Sequence, residues 1–212
     1  MSIIETLTAP VSSLFSNGIG PAYLLGLAVL SLAVAVSDAR AHRIPNAYLA
    51  AGLLYALLLL GALASTRGPA FALRGLGMGL FGMLLGGLLS APGLFARQLA
   101  PGDVKFMMVI GFFLGPIGAV FALLNAALVG GVWALVLAWR HGGLRLLGHN
   151  LKFMARSAYL SGFKDLGWDL RQAGAVRMPY GVALAVGAWS VIAWQVTRSQ
   201  SLRAALAPLL GA

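Results

Sequence analysis

Apolar residues in this chain gather into runs of about 20, and short polar or turn-forming clusters separate them. A run of that length matches the hydrocarbon core of a bilayer crossed by an α-helix. Six spans follow from the pattern. The first covers 21–37 and the second 45–65, where Pro45 is tolerated at a helix start. The third, 75–95, is rich in glycine, which suits close helix packing. The apolar stretch 104–139 is too long for one crossing, and Gly115-Pro116 divides it into a short fourth span and a fifth, 117–139. The sixth runs 179–196, and the apolar tail 202–210 is too short to cross.

Composition agrees with that pattern. Hydrophobic residues make up 60% of the chain and charged residues 9%, against about 25% charged in a soluble domain. The expected class is all-α, a polytopic protein with about six transmembrane helices, forming one membrane domain over 1–212. The N-terminal stretch carries Glu5 and no Lys or Arg before the first span. It therefore lacks the positive region of a signal peptide, and the first span is expected to be retained.

The net charge of +10 does not indicate nucleic-acid binding in so apolar a chain. Its basic residues fit topology and contact with anionic lipid. With the N-terminus outside, the inside loops hold Arg40 and Arg43, then Arg97 and Lys105, then Arg140, Arg145, Lys152, Arg156, Lys164, Arg171 and Arg177. These are eleven of the 15 basic residues, and the outside segments keep Arg67, Arg74, Arg198 and Arg203. The split depends on dividing the stretch 104–139. Joining it into one span would carry the large basic loop, 140–178, to the outside.

Within that loop, Leu144, Leu147, Leu151, Met154 and Ala158 recur at steps of three and four. Arg145, His149, Lys152 and Arg156 follow at similar steps, one or two residues on. The pattern predicts an amphipathic helix lying in the interface, either as a topological anchor or as a docking surface.

Acidic residues are scarce: Glu5, Asp38, Asp103, Asp165 and Asp169. Two of them border apolar spans. Asp38 closes the first run and Asp103 opens the fourth. A carboxylate against hydrocarbon costs several kcal/mol, of order 2–7 even for a neutral polar group, unless it is paired or protonated. The assigned topology puts both on the cytoplasmic side. Two carboxylates brought together cannot both ionise cheaply, so such a pair shares a proton near neutral pH. It can take a proton from water attacking an amide and return one to the departing amine. Taken singly, each aspartate has a plainer reading. Asp38 could pair with Arg40 or Arg43, and Asp103 could cap a helix. Lys105 could tune Asp103, or bind a substrate carbonyl or a lipid phosphate. Gly102 allows a close backbone approach. Cysteine is absent, and His42, His141 and His149 are scattered, so no metal or other cofactor is expected.

Around these aspartates the chain resembles the type IV prepilin peptidases, membrane aspartyl proteases of the GxGD type. That family has an Asp followed six and seven residues later by Ile-Pro, then Asn, as in Asp38…Ile44-Pro45-Asn46. Its Gly-x-Gly-Asp-Val-Lys motif corresponds to Ala100-Pro101-Gly102-Asp103-Val104-Lys105, with Ala100 in place of the first glycine. Gly111-Phe112-Phe113-Leu114-Gly115-Pro116 and Met178-Pro179-Tyr180-Gly181-Val182-Ala183 are also similar. The resemblance covers about 20–197.

It implies a catalytic pair, Asp38 and Asp103, with Pro45, Asn46, Gly102, Lys105, Pro179 and Tyr180 shaping the site or binding substrate. The implied substrate is a prepilin whose short basic leader stays in the cytoplasm and is cut just before the pilin's hydrophobic helix. The implied location is the bacterial inner membrane, with the active site at its cytoplasmic face. The similarity is to the short, single-domain branch that serves tight-adherence (Flp) pili. Larger members add a domain with paired Cys-x-x-Cys and methylate the new N-terminus. With no cysteine, peptidase activity without methyl transfer is expected. A proton-coupled transporter and a non-enzymatic membrane assembly subunit are the competing readings. Partners beyond the prepilin and membrane lipid, and the oligomeric state, are open.

Overall fold

The computed structural model describes residues 19–95, 99–140 and 179–198. In them lie five helices: α1 (Ile19–Ala41), α2 (Asn46–Arg67), α3 (Pro69–Phe95), α4 (Pro101–Arg140) and α5 (Tyr180–Arg198). No strand occurs among the described residues. All five are long and apolar enough to cross a membrane. In hydrocarbon the backbone must satisfy its own hydrogen bonds, and a helix does this within each segment. The predicted basic loop, apart from Arg140, and the apolar tail 202–210 lie outside the described residues.

Several helix ends differ from the sequence expectation by a few residues. The first helix continues to Ala41 and so takes Asp38 into its last turns. Pro45 stands just outside α2 as its cap, in extended conformation (φ −65°, ψ 128°). The third helix begins at Pro69, six residues early, because Pro at a helix start needs no donor and Phe71 and Leu73 continue the apolar surface.

The 40 residues of α4 would extend about 60 Å as one straight helix, twice the thickness of the hydrocarbon core. Gly115 breaks it, with φ 76° and ψ −179°, and Pro116 follows. Contacts on either side show what the break does. Along α1, Asp38 lies beside Gly181 and Ala28 beside Trp189, so α1 and α5 are antiparallel. Asn125 meets Ser190 and Gly130 meets Tyr180, so the limb 116–140 is antiparallel to α5 and parallel to α1. The limb 101–114 starts near Ile44 and Asp38 and reaches Tyr23 at Phe112, so it runs against α1. The chain therefore reverses direction at Gly115, and the two limbs are antiparallel.

The break leaves a polar group to satisfy. Pro116 has no N–H, so the carbonyl of Phe112, four residues earlier, loses its helical donor. The buried Tyr23 hydroxyl donates to that carbonyl at 3.3 Å, and its ring packs on Phe113 with centroids 4.8 Å apart. Tyr23→Phe keeps the packing and orphans the carbonyl. The expected loss is about 1–3 kcal/mol, read by thermal unfolding in detergent. An unchanged midpoint would mean that the carbonyl finds another donor.

The α3–α4 interface is the most extensive in the bundle. Gly75, Gly79, Gly82, Gly86 and Ser90 are its buried stripe on α3. Without Cβ atoms the two backbones touch: a Cβ at Gly82 would overlap the Gly111 carbonyl oxygen, and one at Gly111 would overlap the Gly82 oxygen. Tyr23, Leu27, Phe106, Ile110, Phe113 and Leu184 form the centre of the core. Leu25, Val29, Leu54, Leu58, Leu84 and Leu88 stay exposed, as a lipid-facing surface requires. The reversal at Gly115 brings the end of α4 to the same end of the bundle as Asp38, and α5 starts there too. Both attachment points of 141–178 are thus at the aspartate end.

Candidate active site

Asp38 is set by two helices. At the end of α1, the His42 N–H donates to the Asp38 carbonyl at 2.9 Å, and His42 itself turns left-handed (φ 48°) to end the helix. Below, the Ser37 hydroxyl donates to the Arg43 carbonyl at 2.9 Å and ties the turn back. The Asp38 side chain points inward and is only 6% exposed. Its Oδ2 accepts the Gly181 N–H at 2.8 Å. That N–H is a free donor of the first turn of α5, where a helix also carries partial positive charge. A carboxylate on α1 therefore caps a helix that begins about 140 residues later. The alternative of an ion pair with Arg40 or Arg43 is not what forms: both side chains are exposed, and the carboxylate bonds to backbone.

Asp103 lies in the first turn of α4 and is 7% exposed. It is not the cap residue itself. Its N–H donates to the Ala100 carbonyl at 3.0 Å, and its Oδ2 accepts the Ala100 N–H at 3.0 Å. This is one half of a capping box, the acid three residues beyond the cap reaching back to the cap's N–H, while Ala100 has no side-chain acceptor to supply the other half. Ala100 contributes only backbone, so its methyl group does not disturb the bond.

Gly102 lies against Ile44, just beyond the end of α1, so Asp103 and Asp38 stand at the same end of the bundle. Each has Oδ2 held by backbone N–H, and each has a second oxygen outside those bonds.

The other predicted residues gather at the same end of the bundle. Lys105 Nζ donates to Asn46 Oδ1 at 3.3 Å, joining the starts of α4 and α2 at the surface. Lys105 thus contacts Asn46 rather than either aspartate in this arrangement. Pro45 caps α2, and Ile44 beside it lies against Gly102. A Cβ at Gly102 would be 3.4 Å from Ile44, an ordinary contact, so this neighbour does not require glycine. The Pro179 carbonyl accepts the Val182 N–H at 3.2 Å. The Tyr180 ring packs over Gly130.

Gly181 is not among the residues singled out as candidates. It acts through its backbone N–H, which has no side-chain signature. The one signal was a glycine right after Pro179-Tyr180, where a span begins. Among the described residues, no three His, Cys, Asp or Glu side chains gather as metal ligands would.

A family model described as the type IV leader peptidase family matches residues 25–135. That range is just over half of the chain and contains Asp38 and Asp103. No curated protein and no solved structure matches the chain.

Proposed function

The chain belongs to the type IV leader peptidase family, and from that premise we propose that it is an aspartyl endopeptidase of the bacterial inner membrane. In this reading it removes the short cytoplasmic leader of a prepilin, of the Flp type, just before the hydrophobic helix. The observation that carries the reading is the placement of Asp38 and Asp103, two buried carboxyl groups from helices distant in sequence, at one end of the bundle, each fixed by backbone N–H at one oxygen.

The chemistry needs one proton shared by the pair. The ionised carboxylate takes a proton from water as the water oxygen bonds to the scissile carbonyl carbon. The protonated partner gives its proton to the carbonyl oxygen. Collapse of the tetrahedral intermediate breaks the C–N bond: the carboxyl group gives its proton to the amine that leaves, while the partner carboxylate takes the proton of one hydroxyl of the intermediate as the new carbonyl forms. Water is consumed, and the pair ends with the one proton it began with.

The proposed orientation has the aspartate end in the cytoplasm, the N-terminus outside, and six crossings, with the two limbs of α4 counted separately. Support comes from the basic segment 141–178, which is attached at both ends beside the aspartates, as the positive-inside rule favours. A basic leader held in the cytoplasm would meet the site there. Lys105, Asn46, Pro45, Gly102, Pro179 and Tyr180 are proposed to frame the site. Methyl transfer is outside this proposal, since the paired Cys-x-x-Cys of larger relatives has no counterpart in these 212 residues. A proton relay would favour carboxylates near the bilayer midplane, and both lie at one end of the bundle.

The test is leader removal. Purified protein in liposomes is incubated with a Flp-type prepilin, and products are weighed by mass spectrometry. Cleavage at the junction of leader and hydrophobic helix is the expected result. Intact prepilin after incubation with a folded enzyme, repeated across several prepilins, overturns the proposal.

A further inference from the structure

The structure assigns Gly181, outside the segment that matches the family model, as the positioning residue for Asp38, with the first turn of α5 as the support that holds the pair in register. The assignment rests on the peptidase reading above.

Three observations lead to it. First, Gly181 is not a conformational glycine. Positive φ is found among the described glycines only at Gly68 and Gly115, so Gly181 has an ordinary helical backbone. Alanine would favour the helix more at such a position. Second, the space a side chain would take is filled by Asp38. A Cβ at 181 would lie 2.8 Å from Oδ2, 3.0 Å from Cγ and 3.1 Å from Cβ of Asp38. Glycine is what lets the carboxylate sit down on the helix end and accept its N–H at 2.8 Å. Third, the preceding residue holds the other side. The Tyr180 ring packs 3.6 Å from the Cβ position of Gly130 on the second limb of α4. Two successive residues therefore touch α1 and α4. The turn is anchored on α4 and presents the Gly181 N–H to α1.

The Gly181 N–H only donates, so it holds Oδ2 as an acceptor, and proton exchange with water falls to the other oxygen of Asp38. Moving this carboxylate by even 1 Å degrades the geometry of attack, and a misplacement of that size lowers a rate by about 10²-fold. Substrate contacts elsewhere are untouched, so the loss falls on kcat.

The experiment compares Gly181→Ala with the wild type in the prepilin cleavage assay, with Gly77→Ala as control. Gly77 has open space at its Cβ position and lies on α3, away from the site. For Gly181→Ala, kcat is expected to fall about 10²-fold with KM within about twofold of wild type. Gly77→Ala keeps both. In parallel, thermal unfolding is measured for Gly181→Ala in wild-type and Asp38→Ala backgrounds. The added methyl group lowers the midpoint when Asp38 is present and much less when its carboxyl group is gone.

Wild-type kcat in Gly181→Ala overturns the assignment. So does an equal drop in midpoint with and without the Asp38 carboxyl group, because Gly181 then serves packing alone. Should Gly181→Ala not accumulate, the Asp38→Ala, Gly181→Ala double variant is expected to, and its failure also overturns the assignment. If the wild type cleaves no prepilin, the peptidase reading fails, while the unfolding comparison still decides the contact between Gly181 and Asp38.

Discussion

Asp38→Asn and Asp103→Asn each lower kcat/KM for leader removal by about 10²–10⁴-fold, the range expected for a lost acid or base. The double variant is no worse than the poorer single one, because the two groups act as one unit and either loss disables it. Asparagine is the informative replacement at both positions. Its side-chain oxygen can still accept the Gly181 N–H in place of Asp38 Oδ2, or the Ala100 N–H in place of Asp103 Oδ2. The two caps survive, and the unfolding midpoint should stay near that of wild type. Alanine would confuse the result, because loss of a cap destabilises by about 0.5–2 kcal/mol. At position 38 it would also release α5 from α1. The measurement is kcat/KM in liposomes with an unfolding curve for each variant. Either asparagine variant retaining more than a tenth of wild-type activity removes that aspartate from the chemistry.

Gly82→Ala is expected to give the largest loss of stability among single methyl additions in the bundle, with Gly111→Ala close behind. Overpacking a tight interior costs about 1–3 kcal/mol where side chains can yield. Here the obstacle is backbone: the Gly111 carbonyl oxygen and the Gly115 backbone at Gly82, and the Gly82 carbonyl at Gly111. Neither can rotate away, so α3 and the first limb of α4 must separate, and the loss lies at the upper end of that range or beyond it. Asp103 begins the displaced limb, so cleavage should fall as well. Gly77→Ala on the same helix has the opposite sign. Nothing lies within 4 Å of its Cβ position, and replacing a helical glycine by alanine stabilises by about 0.5–1 kcal/mol. Thermal unfolding of the three variants side by side checks both signs. Similar midpoints for Gly82→Ala and Gly77→Ala would mean that the helices do not touch as described.

Much of this architecture is legible in one dimension because a bilayer imposes length and polarity on each segment. The helices were placed by apolar runs alone. The reversal in α4 was legible because 104–139 exceeds one crossing and Gly115-Pro116 is the natural break. Helix ends were less legible. Asp38 looked like the end of a span, yet three more residues continue the helix, since a polar residue near an interface does not stop helical hydrogen bonding. Asp103 looked like a cap and instead reaches back to one, a difference of three residues that hydropathy does not register.

The composition and order of residues settled that the chain is a bundle of apolar helices, and that two rare acids and their flanking motifs stand at the ends of spans. Those are local properties: run length, charge and the presence of Gly or Pro next to one another. Contacts between distant segments required the folded chain. The Tyr23 hydroxyl answers the carbonyl that Pro116 orphans, Gly82 meets Gly111 backbone to backbone, and the start of α5 receives Asp38. Each of these joins partners through a carbonyl oxygen, an N–H or a missing Cβ. Every residue carries the first two and every glycine the third, so no residue type marks which ones will meet. Only packing of the helices selects them.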